Sequence, residues 1–316
     1  MTIPIIDEAA VERILRPGIA RDLMRATLRA SASGGARGPT RAVLELQGAW
    51  FATMPASVAL ADLSGVGAKL VTAFPRNAER GLATHQAIVA MFDPETGAPI
   101  GLVAGETITE RRTAAVSVVA TERLAKRPRG TLAILGAGAQ GRAHLEAFLD
   151  AGLIERLQLW SRQREHAEAL AAIARAHDLA AVVVAADPAA AVQGADVIVT
   201  ATAAAVPLFR LRDVSDGAHV NAVGSCVPSR RELPADLVEA ANVYVDSIDG
   251  AWRESGDLLL AASELGRERI RICAELGTML AEPERNDPAG RVTLFESLGL
   301  GIEDVACAAY VLAHTA

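Results

Sequence analysis

The sequence predicts an α/β protein in which a doubly wound parallel sheet accompanies an α+β unit, and three observations predict it. Strand and helix patterns alternate from residue 131 to residue 246. A glycine-rich turn joins the first of those strands to its helix. Before residue 105 the rhythm differs, with short β patterns separated by turn residues. The 316 residues are ample for two domains.

Residues 7–31 read as one helix, since Ile14, Leu15, Ile19, Leu23 and Leu28 recur near helical spacing. Ser33-Gly34-Gly35 ends it. Strand patterns follow at Ala42 to Leu46, Ser57 to Leu60, Gly67 to Phe74, Gln86 to Phe92 and Ile100 to Ala104. The last two flank Phe92-Asp93-Pro94-Glu95-Thr96-Gly97, a hairpin-turn composition. Thr109 to Leu124 reads as a helix rich in small residues, and Pro128 and Gly130 close the connection. Then come strand 131–135, helix 139–151, strand 157–160, helix 164–177, strand 181–185 and a short helix near 188–194. Strands 196–200, 218–223 and 242–246 follow. Leu294 to Leu312 reads as a helix that returns to the first domain. The expected domains are therefore 1–122 with 290–316, and 123–289.

Composition narrows the function classes. The chain is 51% hydrophobic and 22% charged, as in ordinary globular proteins, and only 3% aromatic, so its cores must be packed from Ala, Val, Leu and Ile. The net charge is −7, without a block of like charge. The basic run Arg123 to Arg129 is short and interrupted and reads as a solvated helix end. Neither nucleic acid nor membrane is expected as a partner. Cys226, Cys273 and Cys307 have no metal-ligand spacing and no disulfide framework, so no metal and a reducing cytoplasm are expected. Met1 to Ala10 carries acids and lacks the apolar core of a signal peptide. No uncharged apolar stretch reaches the ~18 residues that a membrane span needs.

The chemistry starts at Thr131-Leu-Ala-Ile-Leu135, an apolar strand that runs into Gly136-Ala137-Gly138-Ala139-Gln140-Gly141 and then a helix. Gly136 permits the tight turn, Gly138 lets backbone approach a pyrophosphate, and Gly141 lets helix and strand pack closely. The helix N-terminus presents N–H groups to the anion. Strand, glycines and helix in this order, followed by further βα units, predict a Rossmann-type dinucleotide site. The second strand ends at Leu159-Trp160, where an acidic residue would hold the ribose 2′-hydroxyl of NAD. Ser161-Arg162 stands there instead, and a guanidinium pairs with a 2′-phosphate. NADP (as NADPH) is therefore favoured, with NAD possible.

With these motifs the sequence resembles the ornithine cyclodeaminase/mu-crystallin family over nearly its whole length. Further carriers are Met54-Pro55-Ala56, Ala68-Lys69-Leu70-Val71, Thr84-His85-Gln86 and Arg112-Thr113-Ala114-Ala115. Beyond the glycine turn come Ala195-Asp196-Val197-Ile198, Asn221-Ala222-Val223-Gly224-Ser225, Arg231-Glu232-Leu233, Glu254-Ser255-Gly256-Asp257 and Ser297-Leu298-Gly299. The resemblance implies a homodimer of two-domain subunits, each with a substrate-binding and dimerisation domain, a Rossmann domain and an active site between them. Its members include cyclodeaminases, an alanine dehydrogenase and ketimine reductases.

Carried over by position, the resemblance places Arg41, Lys69 and Arg112 around a substrate carboxylate. An α-imino acid needs such cations, and arginine clamps a carboxylate in a plane. Lys69 and Arg112 are the catalytic candidates, with Lys69 first choice for a proton relay. Thr84, Arg112, Ala139, Gln140, Ser161, Thr202, Ala222, Val223, Gly224 and Ser297 fall at cofactor positions, beside Gly136, Gly138, Gly141 and Arg162. His85 and His144 also lie in family-like motifs, and satisfied structural histidines are at least as good a reading of them. Cys226 stands where cyclodeaminases carry an aspartate. A thiol with an ordinary pKa near ~8.5 replaces a carboxylate poorly. The expected activity is thus hydride transfer from NAD(P)H to the C=N carbon of an α-imino acid such as pyrroline-2-carboxylate. A cyclodeaminase that recycles its NAD, or an NADP-linked ligand carrier, are the competing readings.

Overall fold

The computed structural model describes residues 3–282 and 291–315. The chain divides into two compact units, one formed by the residues up to Arg112 together with those from Gly299 onward, the other by Thr113–Leu298. The expected boundary between 289 and 290 lies outside the described residues.

The first unit opens with strand β1 (Ile5–Ile6) and helices α1 (Glu8–Ile14) and α2 (Pro17–Ser31). Asp7 caps α1 by accepting the Ala10 N–H. The single helix expected over 7–31 is thus two. Pro17 has no N–H to continue the ladder, and Arg16 before it is extended at φ −68° and ψ 157°. Strands β2 (Ala36–Arg37), β3 (Ala42–Leu46), β4 (Ala49–Ala59), β5 (Ser64–Ala73), β6 (His85–Phe92) and β7 (Pro99–Ala104) follow. They lie in the order β1-β7-β6-β5-β4-β2, with β3 also on β4. All pairs are antiparallel except β1 with β7. The hairpin turn is held by Asp93, whose Oδ1 accepts the Glu95 and Thr96 N–H groups.

Strand β4 is longer than the expected Ser57 to Leu60, because Pro55 does not break it. That proline falls between the stretch of β4 paired with β3, up to Thr53, and the stretch paired with β2, from Ser57. No ladder hydrogen bond is required of it on that edge.

Helix α3 (Glu106–Leu124) carries the boundary between the units. The second unit continues with β8 (Gly130–Leu135), α4 (Ala139–Asp150), β9 (Ile154–Trp160), α5 (Arg164–Ala176), β10 (Val182–Val184), α6 (Pro188–Val192), β11 (Val197–Thr200) and β12 (His219–Ala222). Next come α7 (Ala235–Ala240), β13 (Asn242–Val245), α8 (Ile248–Glu254), α9 (Gly256–Leu265), β14 (Ile272–Glu275), α10 (Leu276–Ala281) and β15 (Thr293–Glu296). The sheet is parallel, in the order β10-β9-β8-β11-β12-β15-β13-β14. Its first five strands have the order of a mononucleotide-binding sheet, with the direction of winding changing between β8 and β11. Alternate residues feed two cores: Ala133, Leu135 and Ile198 on one face, Leu132, Ile134, Val197 and Val199 on the other.

The helix expected over 294–312 is a strand followed by a helix, α11 (Gly301–Ala313), which belongs to the first unit. Thr293 to Glu296 fill the slot between β12 and β13. Gly299, at φ +84°, makes the break.

Candidate functional site

In the first unit the site is built on β5 and α11. Strand alternation puts Lys69 on the same face as Gly65, Gly67, Val71 and Ala73, the buried face of β5. Helix α11 packs there, so closely that a side chain at Gly65 would touch Ala309 and Val305. Residues 301–309 of that helix are all buried, including Glu303 and Asp304 in its first turn, where the helix dipole favours acids. Lys69, 2% exposed, donates to Asp304 Oδ1 at 3.0 Å. Arg112, 5% exposed, donates to Glu303 Oε2 at 2.8 Å and to Asp304 Oδ1 at 3.3 Å. A side chain on Gly299 would run into the Arg112 guanidinium, and the Gly299 carbonyl accepts from Arg41 at 3.1 Å.

The structure therefore brings Arg41, Lys69 and Arg112 together. It adds two carboxylates that the motifs did not mark, Glu303 and Asp304. Burial lowers the Lys69 pKa to about 8, while Asp304 pulls it back up and Arg112 pushes it down further. At neutral pH the ammonium is still largely charged and can give up its proton. Cys307, one turn along α11 from Asp304, has its thiol pushed well up by burial and then by the Asp304 charge, and so stays protonated.

Thr84 lies in the same unit, in the turn before β6, with Oγ1 3.3 Å from Nδ1 of exposed His85. The His85 ring meets Trp50 edge-on at 5.9 Å.

In the second unit the glycine turn has the form a dinucleotide needs. Gly136, at φ +106°, lies against the Ala201 carbonyl, and a side chain at Gly141 would collide with the Gly136 carbonyl oxygen. Gly138 is different: a Cβ there would meet nothing within 4 Å. It is the N-cap of α4 and makes no side-chain cap, so the first turn, with Ala139 and Gln140, opens onto space of the kind a pyrophosphate takes. Ser297 is buried, and its Oγ has no hydrogen-bond partner among the described residues. Its backbone N–H is fixed on Ala222 O at 2.9 Å. An open cradle and an orphaned hydroxyl both fit a nicotinamide dinucleotide.

Thr202 follows β11; Ala222 ends β12, and Val223 and Gly224 follow it. Ser161 and Arg162 start the loop after β9, with Arg162 exposed. His144 is fully buried, with its ring between Gln140 O at 2.7 Å and Ser117 Oγ at 2.9 Å. Burial lowers its pKa to about 4, so it is a neutral, satisfied structural histidine. Cys226 is half-buried and packs against one of the two cores. Among the described residues no group of three or more His, Cys, Asp or Glu side chains is arranged to hold a metal ion. No helix among them is long and apolar enough to cross a membrane.

The motif Arg231-Glu232-Leu233 had no assigned role. In the structure Glu232 is fully buried and bridges two loops: Oε1 accepts the Thr202 N–H at 2.7 Å, and Oε2 the Gly224 N–H at 2.8 Å.

Comparison with known proteins places this architecture. The family model described as "Ornithine cyclodeaminase/mu-crystallin family" matches residues 6–315. The mouse (Mus musculus) protein named ketimine reductase mu-crystallin is 37% identical over 282 residues, which are 88% of this chain and 85% of that one. The structure of Thermococcus litoralis Δ1-pyrroline-2-carboxylate reductase in complex with NADH and L-proline superposes with a TM-score of 0.91 at 28% identity, over 98% of this chain and 97% of that one. An archaeal alanine dehydrogenase dimer with bound NAD gives a TM-score of 0.90 at 27% identity, over 99% and 96%. The chain belongs to the ornithine cyclodeaminase/mu-crystallin family.

Proposed function

We propose that this protein is an NAD(P)H-dependent reductase of α-imino acids, producing an L-amino acid from a ketimine or from a cyclic imine such as pyrroline-2-carboxylate. The observation that carries this reading is the Lys69–Asp304–Arg112 constellation in a chain that also holds an open dinucleotide turn. The cofactor supplies a hydride to the imine carbon. The remaining work falls to the chain. Arg41 and Arg112 bind and orient the substrate carboxylate, which fixes the imine carbon for attack. Asp304 keeps Lys69 in place and charged despite its burial. Lys69 Nζ then gives its proton to the nitrogen as the C=N bond is reduced.

Cys226 weighs against the cyclodeaminase reading, because no carboxylate stands at its position. We assign NADPH as the preferred cofactor on Ser161 and Arg162, with Arg162 free to swing onto a 2′-phosphate from its exposed position. Val43, Leu44, Leu46, Ile88 and Ile100, exposed apolar side chains on β3, β6 and β7, support a homodimer formed through the first unit's sheet. The archaeal neighbour is itself a dimer. Cys226, Cys273 and Cys307 form no disulfide among the described residues, which suits a cytoplasmic location. The test is a spectrophotometric screen of pyrroline-2-carboxylate, piperideine-2-carboxylate, iminosuccinate and pyruvate with ammonia, each with NADPH and NADH. Steady cofactor oxidation with an imino acid supports the proposal. Ammonia release from ornithine without net cofactor turnover contradicts it.

A further inference from the structure

Four motif fragments spread along the second unit converge on one buried place. They are Gly224-Ser225, Arg231-Glu232-Leu233, Glu254 to Asp257, and Glu296 with Ser297. At its centre the Glu232 carboxylate accepts one backbone N–H from each of two loops, Thr202 after β11 and Gly224 after β12. The loops are in close contact there, since a side chain at Gly224 would strike both the Thr202 carbonyl and the Glu232 carboxylate. The first loop also walls the glycine turn: a side chain at Gly136 would collide with the Ala201 carbonyl and come within 3.1 Å of Thr202 Cγ2.

Glu232 is itself held. Its N–H and that of Leu233 both donate to Asp257 Oδ1, at 2.9 and 2.8 Å. Asp257 lies in the first turn of α9, and Gly256 before it fits closely under the Arg230 carbonyl. Ser225 Oγ donates to that same carbonyl at 2.9 Å. Nearby, Glu296 at the end of β15 accepts the Ser255 hydroxyl at 2.9 Å.

We propose that Glu232 is a positioning residue for dinucleotide binding, a carboxylate staple that holds the loops after β11 and β12 in register with the glycine turn. The inference rests on the dinucleotide reading of that turn and goes beyond it, because Glu232 lies behind the loops and acts through Thr202 and Gly224. A carboxylate is a costly donor-satisfier in this environment. Burial pushes the Glu232 pKa up to about 7, Asp257 pushes the same way, and the hydrogen bonds from Thr202 oppose both. Two backbone N–H groups from different strands could be met separately by neutral groups. Here each N–H meets its own oxygen, Oε1 and Oε2, and an ionised carboxylate offers two accepting oxygens in one rigid group where an amide offers one.

The test uses the full-length protein and three readouts: NADPH affinity by fluorescence titration, kcat at saturating NADPH, and amide hydrogen exchange at Thr202 and Gly224 without cofactor. In Glu232→Gln one carbonyl oxygen remains and an amide NH2 faces the second N–H. The expected result is an NADPH Kd raised about tenfold, the cost of one charge-assisted hydrogen bond, with kcat changed less than about twofold. Exchange at Thr202 or Gly224 should quicken while that of β8 stays put. A variant that melts earlier but binds NADPH as tightly as wild type overturns the proposal. Should Glu232→Gln not fold, Asp257→Asn loosens the anchor of Glu232 and should raise the Kd severalfold, and an unchanged Kd overturns the proposal equally. Failure of the underlying reading looks different: wild type itself would then bind neither NADPH nor NADH, while its exchange at Thr202 and Gly224 stayed slow.

Discussion

In the first unit the buried carboxylates Glu303 and Asp304 lie against Lys69 and Arg112, whereas in the second unit Glu232, Asp257 and Glu296 are met chiefly by backbone N–H and hydroxyl groups. The consequences differ in charge. Lys69 keeps a pKa of about 8 although it is fully buried, because Asp304 opposes the desolvation. In the acidic cluster desolvation wins: Glu232 rises to about 7, Asp257 to about 6, and Glu296 well above its ordinary value, the last also raised by Asp257. Ion-paired cations can rearrange around an incoming carboxylate. Acids locked onto backbone N–H groups hold loops and offer no anion a place. The first arrangement suits substrate chemistry and the second suits scaffolding of a cofactor site.

The largest effect that can break this contrast comes from removing the proposed proton donor, Lys69. Lys69→Met keeps the volume and deletes the ammonium, and kcat/KM for imine reduction should fall by roughly 10³ while NADPH affinity holds, a split read by steady-state kinetics beside binding titration. Comparable losses in both would merge the two regions into one. Next comes Gly138→Asp. Space surrounds that position, so thermal stability should hold, while a carboxylate facing the pyrophosphate should weaken NADPH binding by about 100-fold. Unfolding instead would make the glycine a fold requirement only.

The pH profile gives a sharper, smaller effect. In the proposed mechanism Lys69 is the acid, so kcat/KM should be flat below its pKa and fall as pH rises through about 8. In Asp304→Asn the charge that raises this pKa is gone, and the alkaline limb should shift to lower pH. A limb that stays in place would remove Lys69 from the proton step. The smallest effect is expected at the exposed Arg162. Arg162→Ala should reduce the NADPH-over-NADH preference by about tenfold and leave NADH kinetics unchanged. An unaltered preference would move the 2′-phosphate contact elsewhere.

How much of this was legible in the sequence varied with the kind of signal. The parallel sheet and the glycine turn were readable because apolar strands, Gly136, Gly138 and Gly141 are local features. Lys69 was readable through the family resemblance, which places it at a substrate carboxylate. Its partner Asp304 was not, since 235 positions separate them and the acids at 303 and 304 fall inside the helix expected over 294–312, where acids are ordinary. Glu232 lay in a recognised motif without a role, because its partners are backbone N–H groups that no side chain marks. The strand at 293–296 was mistaken for helix, since a short apolar run fits both periods. Gly299 and Gly301 were the signal that could have separated them. The split of α1 from α2 was written in Arg16-Pro17.

The most direct test of the central claim follows the hydride. Wild-type protein is incubated with pyrroline-2-carboxylate and NADPH deuterated at the transferable position, and the product is analysed by mass spectrometry. The account predicts L-proline carrying deuterium at Cα, formed in step with NADPH oxidation. Proline without the label, or proline that forms only from ornithine while the cofactor pool stays constant, would contradict it.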